Sequence, residues 1–157
     1  MRLSRRLKNQ ISVFGNLEVR VHDAATGKLL SVQRVSNLVV TAGLSLTAIR
    51  LAGTAQAAIT HFALGTSSTA VSAGQTALVA EVTREVVTQL ITSTPAELQV
   101  KYYLGTTVGN GNTLREAGLF NAGASGTMFA RALLSAAIVK TSAVTATFTW
   151  TITLTAV

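Results

Sequence analysis

The stretch from Val144 to Leu154, VTATFTWTITL, places Val144, Ala146, Phe148, Trp150, Ile152 and Leu154 on even positions, with threonine on each odd position between them. Period two over this length is the mark of a β-strand with one apolar face, because successive side chains leave opposite sides of the pleat. At about 3.3 Å per residue the strand would run roughly 36 Å, well beyond the usual five or six residues. Threonine is β-branched, so the polar face also suits a sheet. A lone strand cannot hold this conformation. It requires a sheet covered on the Phe148/Trp150 side, and burying those rings at ~25 cal/mol per Å2 is worth several kcal/mol.

The remaining composition says what surrounds such a strand. A chain of 157 residues fits one domain, able to bury roughly two-thirds of its unfolded surface. It is 48% hydrophobic but only 12% charged, about half the usual charged share. So thinly charged a surface implies cover by neighbours, in a homo-oligomer or a larger assembly. The net charge of +7 is unevenly spread: Arg2, Arg5, Arg6 and Lys8 are crowded at the start, and the other basic residues are scattered singly among six acids. That distribution argues against specific nucleic-acid recognition and leaves a basic arm, residues 1–10, that can bind phosphates, anionic lipid or an acidic partner and is expected to dock on a partner. There is no cysteine, hence no disulfide framework or thiolate chemistry. Despite a mean hydropathy of +0.45, no run reaches the eighteen apolar residues of a membrane helix. The basic start has no apolar stretch behind it, which does not fit a signal peptide.

Along the chain, Leu17, Val19 and Val21 alternate with Glu18, Arg20 and His22, then Asp23 to Lys28 supplies a turn containing Gly27. With Leu29 to Val35 returning, residues 16–35 read as a β-hairpin. Thr41 is the expected N-cap of the one convincing helix, which carries Leu44, Leu46, Ala48, Ile49 and Leu51 and stops at Gly53. Gly43 weakens that helix, which is expected to plug one end of a sandwich. Ala58–Gly65 reads as a strand and 66–75 as a loop; from Thr76 the chain turns apolar again and continues through Glu81 and Arg84 into a strand over Val86 to Ile91, broken at Thr92-Ser93-Thr94-Pro95. A strand over 98–103 and a loop over 105–112 follow. Leu114–Phe120 is the next strand, with a bulge expected at Gly118. Met128–Leu134 and Ala136–Val139 lead to the C-terminal strand. The fold class is therefore all-β, an antiparallel β-sandwich or barrel of jelly-roll kind with an N-terminal β-hairpin and one short α-helix. Behind the arm, residues 11–157 form a single β-sandwich domain, with hairpin and helix over 11–53 and the main sandwich over 58–157.

Catalytic equipment is sparse. His22-Asp23 stands alone as a possible metal pair and reads better as a turn entry. His61 lies in an apolar strand and reads as a hydrogen-bonded structural histidine. No G-x-S-x-G elbow is present, and the glycines at 105, 109 and 111 match no phosphate-loop pattern. Glu81, Glu85 and Glu116 lie in or beside apolar segments. Glu81-x-x-Arg84 and the adjacent Arg115-Glu116 suggest charge-assisted, partly buried pairs where strand ends meet. Glu81 and Glu116 as a glycosidase pair is the weaker reading, since the chain has few aromatics for a sugar platform. The expected structural and assembly residues are Glu81, Arg84, Arg115, Glu116, Phe148 and Trp150. No catalytic residue, cofactor or metal is expected.

Several short motifs occur in a telling order: Gly74-Gln75-Thr76-Ala77-Leu78, Glu81-Val82-Thr83-Arg84, and Glu116-Ala117-Gly118-Leu119-Phe120, followed by GTMFARALL and Ile138-Val139-Lys140. Over roughly residues 16–154 the chain resembles small tailed-phage virion structural proteins, and is similar to the particle-attaching N-terminal domains of phage tail-collar and tail-fibre proteins. The resemblance implies a non-enzymatic virion component, made in the host cytoplasm, oligomeric (a trimer or a ring) and bound to other phage structural proteins. A fibre would continue into a shaft and tip, whereas this chain ends three residues after Leu154; that favours a tail, baseplate or fibre-adaptor piece. The alternatives are a capsid decoration protein and a carbohydrate- or receptor-binding module. The last predicts an exposed aromatic cluster around Tyr102, Tyr103 and Trp150.

Overall fold

The alternating C-terminal stretch is the middle strand of a five-stranded sheet. The computed structural model describes residues 11–92 and 94–156. Among these the order is β1 (Ile11–Asp23), β2 (Leu29–Ser36), β3 (Leu38–Val39), α1 (Thr41–Leu51), β4 (His61–Gly65), β5 (Glu81–Val86), β6 (Gln89–Ile91), β7 (Glu97–Leu104), β8 (Thr113–Phe120), β9 (Met128–Val139) and β10 (Val144–Ala156). The first sheet runs β2-β1-β10-β7-β6 and the second β3-β9-β8-β4-β5. Every pairing is antiparallel. The two sheets make an open sandwich, not a closed barrel.

β10 pairs with β1 along its whole length, from Ile11↔Ala156 to Asp23↔Val144, and with β7 on its other edge. Ala146, Phe148, Trp150 and Ile152 are buried as the period-two pattern requires. The second sheet answers with Phe62. Its ring stacks on Tyr102 at 4.9 Å, meets Phe148 at 5.0 Å and lies edge-on to Trp150 at 5.9 Å. Such aromatic pairs add roughly 0.5–1.5 kcal/mol each beyond the area they bury. Burial here also pushes the Tyr102 phenol up to about 12.

Five local expectations need correction. The apolar run to Ile91 is two strands in different sheets: after Val86 the chain crosses over, with Val87 N–H donating to Thr60 and Thr88 N–H to Lys101 of β7. Periodicity cannot register such a crossing, because both halves are extended. The helix is capped by Val40 in extended conformation, with no side-chain cap bond, and Thr41 is its first helical residue. Thr41 N–H is instead held by Ala73 O at 2.8 Å. Gly43, unfavourable by propensity, lets α1 lie directly on β9: a Cβ there would collide with the Phe129 carbonyl. Gly118 lies in regular ladder opposite Arg131, and the irregularities fall on either side of it. Finally, residues 128–139 are one strand containing an excursion, since Leu134, Ser135, Ala136 and Ala137 all stand opposite Arg115 alone.

That excursion is caught by the other sheet. Gln33, pointing inward from β2, donates its amide to Ala136 O at 2.8 Å and accepts the Ala136 N–H at 3.0 Å. The Ser135 hydroxyl adds a third bond at 3.0 Å. A side-chain amide thus imitates one rung of a β-ladder across the side of the sandwich.

Candidate functional site

One face of each sheet forms the core, and the other should meet water. The second sheet departs from this rule. Its outer face carries Ala63, Phe120 and Met128, which are buried with Val40 and Leu78 in a separate apolar cluster. The cover is the connection between β4 and β5, residues 66–80, which folds back over the sheet. What holds it there is a fully buried ion pair. Glu116 of β8 and Arg131 of β9 are both 0% exposed.

The pair spends its bonding capacity on the covering loop. Arg131 Nε donates to Glu116 Oε2 at 2.8 Å, and its Nη2 lies 2.8 Å from the same oxygen. Glu116 Oε1 accepts the Ala80 N–H at 2.8 Å, and Oε2 the Val79 N–H at 3.2 Å. Arg131 Nη1 donates to Gln75 Oε1 at 3.1 Å and Nη2 to Thr69 O at 2.8 Å. Gln75 Oε1 also accepts the Ser72 N–H at 2.9 Å. Two charges removed from water are tolerable only when their remaining donors and acceptors are filled in this way. Gly65 belongs to the arrangement, because a Cβ there would stand 2.5 Å from both Ala80 O and Glu116 Oε1.

Beside the clamp, Arg84 of β5 makes a two-pronged pair with Glu81, Nε at 3.0 Å and Nη2 at 2.7 Å. Its Nη1 donates to Ser125 O at 2.8 Å and Ala122 O at 3.2 Å, fixing the turn between β8 and β9. The guanidinium lies 3.6 Å above the Phe120 ring, a cation–π contact. Gly74–Leu78, Glu81-x-x-Arg84, Glu116–Phe120 and Arg131 are thereby drawn from distant parts of the chain onto one face.

The remaining expected residues fall elsewhere. Arg115 does not pair with Glu116. Neighbours in a strand leave opposite faces, and Arg115 is exposed at the β9 excursion. Phe148 and Trp150 are 0% exposed and tie the sheets together from within, so they offer no surface to a neighbouring molecule. The aromatic cluster of the carbohydrate-module reading is absent from the described surface: Tyr102 and Trp150 are buried and only Tyr103 is exposed. Arg2, Arg5, Arg6 and Lys8 lie outside the described residues.

Nor does the clamp have the form of an acid–base centre, since Glu116 has both oxygens committed and is sealed from solvent. Asp23 caps the hairpin turn, accepting the Thr26 hydroxyl at 2.7 Å and Thr26 N–H at 2.8 Å. The Thr26 bonds hold its carboxyl below the usual carboxylate range. His61 Nδ1 lies 2.8 Å from the Thr60 hydroxyl. Among the described residues no group of three or more His, Cys, Asp or Glu is placed to hold a metal, and no helix is long and apolar enough to cross a membrane.

The roles of two residues escaped the sequence reading, although both lie in the motifs quoted above. Arg131 carried no signal, because a single arginine in an apolar strand does not name its partner. Lys140 is the other: fully buried, it donates to Asn110 Oδ1 at 2.8 Å and Thr141 O at 2.7 Å, pinning the 105–112 loop. Among the described residues no carboxylate pairs with it, and burial pulls its ammonium group below the ordinary lysine range.

No curated protein and no solved structure matches the chain. The family model for the N-terminal region of the phage tail-collar fibre protein matches residues 32–156. That span takes in the whole clamp, its covering loop and nine of the ten strands at least in part, β1 alone lying ahead of it. With well over half its length matched, including every residue that secures the outer face of the second sheet, the chain belongs to the phage tail-collar fibre protein family.

Proposed function

We propose that this phage tail structural protein is a non-enzymatic adaptor, an oligomer within the virion that holds its place among other tail components by apolar faces and by its basic arm. Residues 11–157 act in this reading as one sandwich unit, with residues 1–10 reaching a neighbour. The observation that carries it is where the charge goes. Glu116 and Glu81 are spent on Arg131 and Arg84, and Glu18 on Arg20 and Arg34. Meanwhile Ile11, Phe14, Leu30, Leu51, Val86 and Val139 each stand more than half exposed. A surface of this kind gains by being covered.

The test is mass measurement of the purified chain, followed by cryo-microscopy of the virion. The expected outcome is a closed oligomer sitting on the tail with three-, six- or twelvefold order. Density at icosahedral two- or threefold positions on the capsid would replace the tail reading with that of a decoration protein. A monomer of the chain's mass, 16.3 kDa, absent from the virion would overturn both.

A further inference from the structure

The N-terminal hairpin is unequal. β1 pairs with β10 from Ile11 onward, but β2 joins β1 only from Asn16↔Ser36. Ile11–Gly15 therefore has one edge in the ladder and one edge that no described strand fills. Asn37 N–H donates to Gly15 O at 3.1 Å, which puts the Gly15 carbonyl on that open edge. Both main-chain groups of a residue in an antiparallel strand leave on one side, and the side alternates along the chain. Ile11 and Val13 consequently direct their N–H and C=O groups outward there.

Beside this edge is a notch of about 600 Å3, walled by Val13, Phe14, Leu38, Val39 and Leu44. At its base lies the Asn37 amide, pressed on Gly15 where a Cβ would collide with it. Both Nδ2 and Oδ1 of Asn37 are buried and without a hydrogen-bond partner among the described residues. Buried amides are rarely left so. Among the other described edges, β3 and β6 offer only two and three residues, and β5 bears Glu81, Arg84 and Glu85.

We infer that the notch receives one extended segment of a partner protein, added as a strand to the open edge of β1. This deepens the adaptor reading and rests on it. Strand addition takes its affinity from main-chain bonds and its selectivity from alternate side chains. Here the alternate side chains are apolar, lying against Phe14 and Leu44. The segment is flanked by acidic residues, because the chain enters the notch wall at Ile11 directly from Arg2, Arg5, Arg6 and Lys8. The same charges argue against a second copy, since two copies joined here would bring two basic arms together.

The experiment compares backbone hydrogen exchange over residues 11–15 in the purified chain and in virions containing it. Exchange slower by on the order of a hundredfold in the virion is expected. Val13→Pro removes an outward N–H without touching the β10 ladder, and should lower incorporation into virions about tenfold at unchanged oligomer mass. Phe14→Ser, at an exposed position, is the second variant should Val13→Pro not fold, with the same loss expected. Unchanged exchange with the chain present in virions overturns this inference and leaves the adaptor reading standing. Protection that appears in the isolated chain as its concentration rises would identify a second copy as the occupant, against the proposal. A wild-type chain missing from virions overturns both.

Discussion

Glu116 shows how much one side chain can be asked to hold. It binds Arg131, itself fully buried, and two backbone N–H groups of the loop lying over the second sheet. Removing one partner of a buried pair strands the other charge, at a cost of about 3–5 kcal/mol. Glu116→Ala and Arg131→Met should therefore each lower the melting temperature by roughly 10 °C. The double variant should cost much less than the sum, which a double-mutant cycle in urea would measure; additive losses would mean that the pair is not coupled. Tyr102 gives a pH test. Its folded phenol titrates near 12 against about 10 when unfolded. Between those values the unfolded chain has lost a proton that the folded chain keeps, so stability falls as pH rises through the window. In Tyr102→Phe that alkaline decline in urea midpoint should be absent. An undiminished decline would assign it to other groups.

At the scale of elements, α1 and the arm are the parts whose behaviour local propensity predicts least. Replacing Gly43 by alanine favours an isolated helix by about 1 kcal/mol. In place, the new methyl meets the Phe129 carbonyl of β9, which is backbone and cannot swing aside. The helix would have to lift, exposing Leu46, now 5% exposed in the core. The collision outweighs the propensity gain, so Gly43→Ala should lower the thermal midpoint followed by circular dichroism. A rise would show that α1 is free to move. For the arm, deletion of residues 1–10 should leave the far-ultraviolet spectrum and melting temperature of the sandwich unchanged while weakening its uptake into virions. Full uptake of the truncated chain would remove the arm from the docking argument.

Over the whole molecule, the sandwich is held by two mechanisms of different legibility. The inward face carrying Phe148 and Trp150 was readable, because period two tells which side of that strand faces inward, whereas Phe62 as the ring that meets them from the other sheet was not. The hairpin and the single helix were readable too. The clamp was readable only in its pieces. Glu81 and Arg84 are close in sequence and do pair, whereas Glu116 is fifteen positions from Arg131 and was assigned to its immediate neighbour. What the sequence alone determined is the predominance of strands and the inward face of the alternating ones, β1, β7 and β10, since both follow from the fixed alternation of side chains along a single extended chain. What only the tertiary structure decided is which strands share a sheet, where the chain crosses between sheets, and which distant charge answers Glu116. Those depend on the register between strands and on the path of loop 66–80, and neither leaves a periodic trace in one chain.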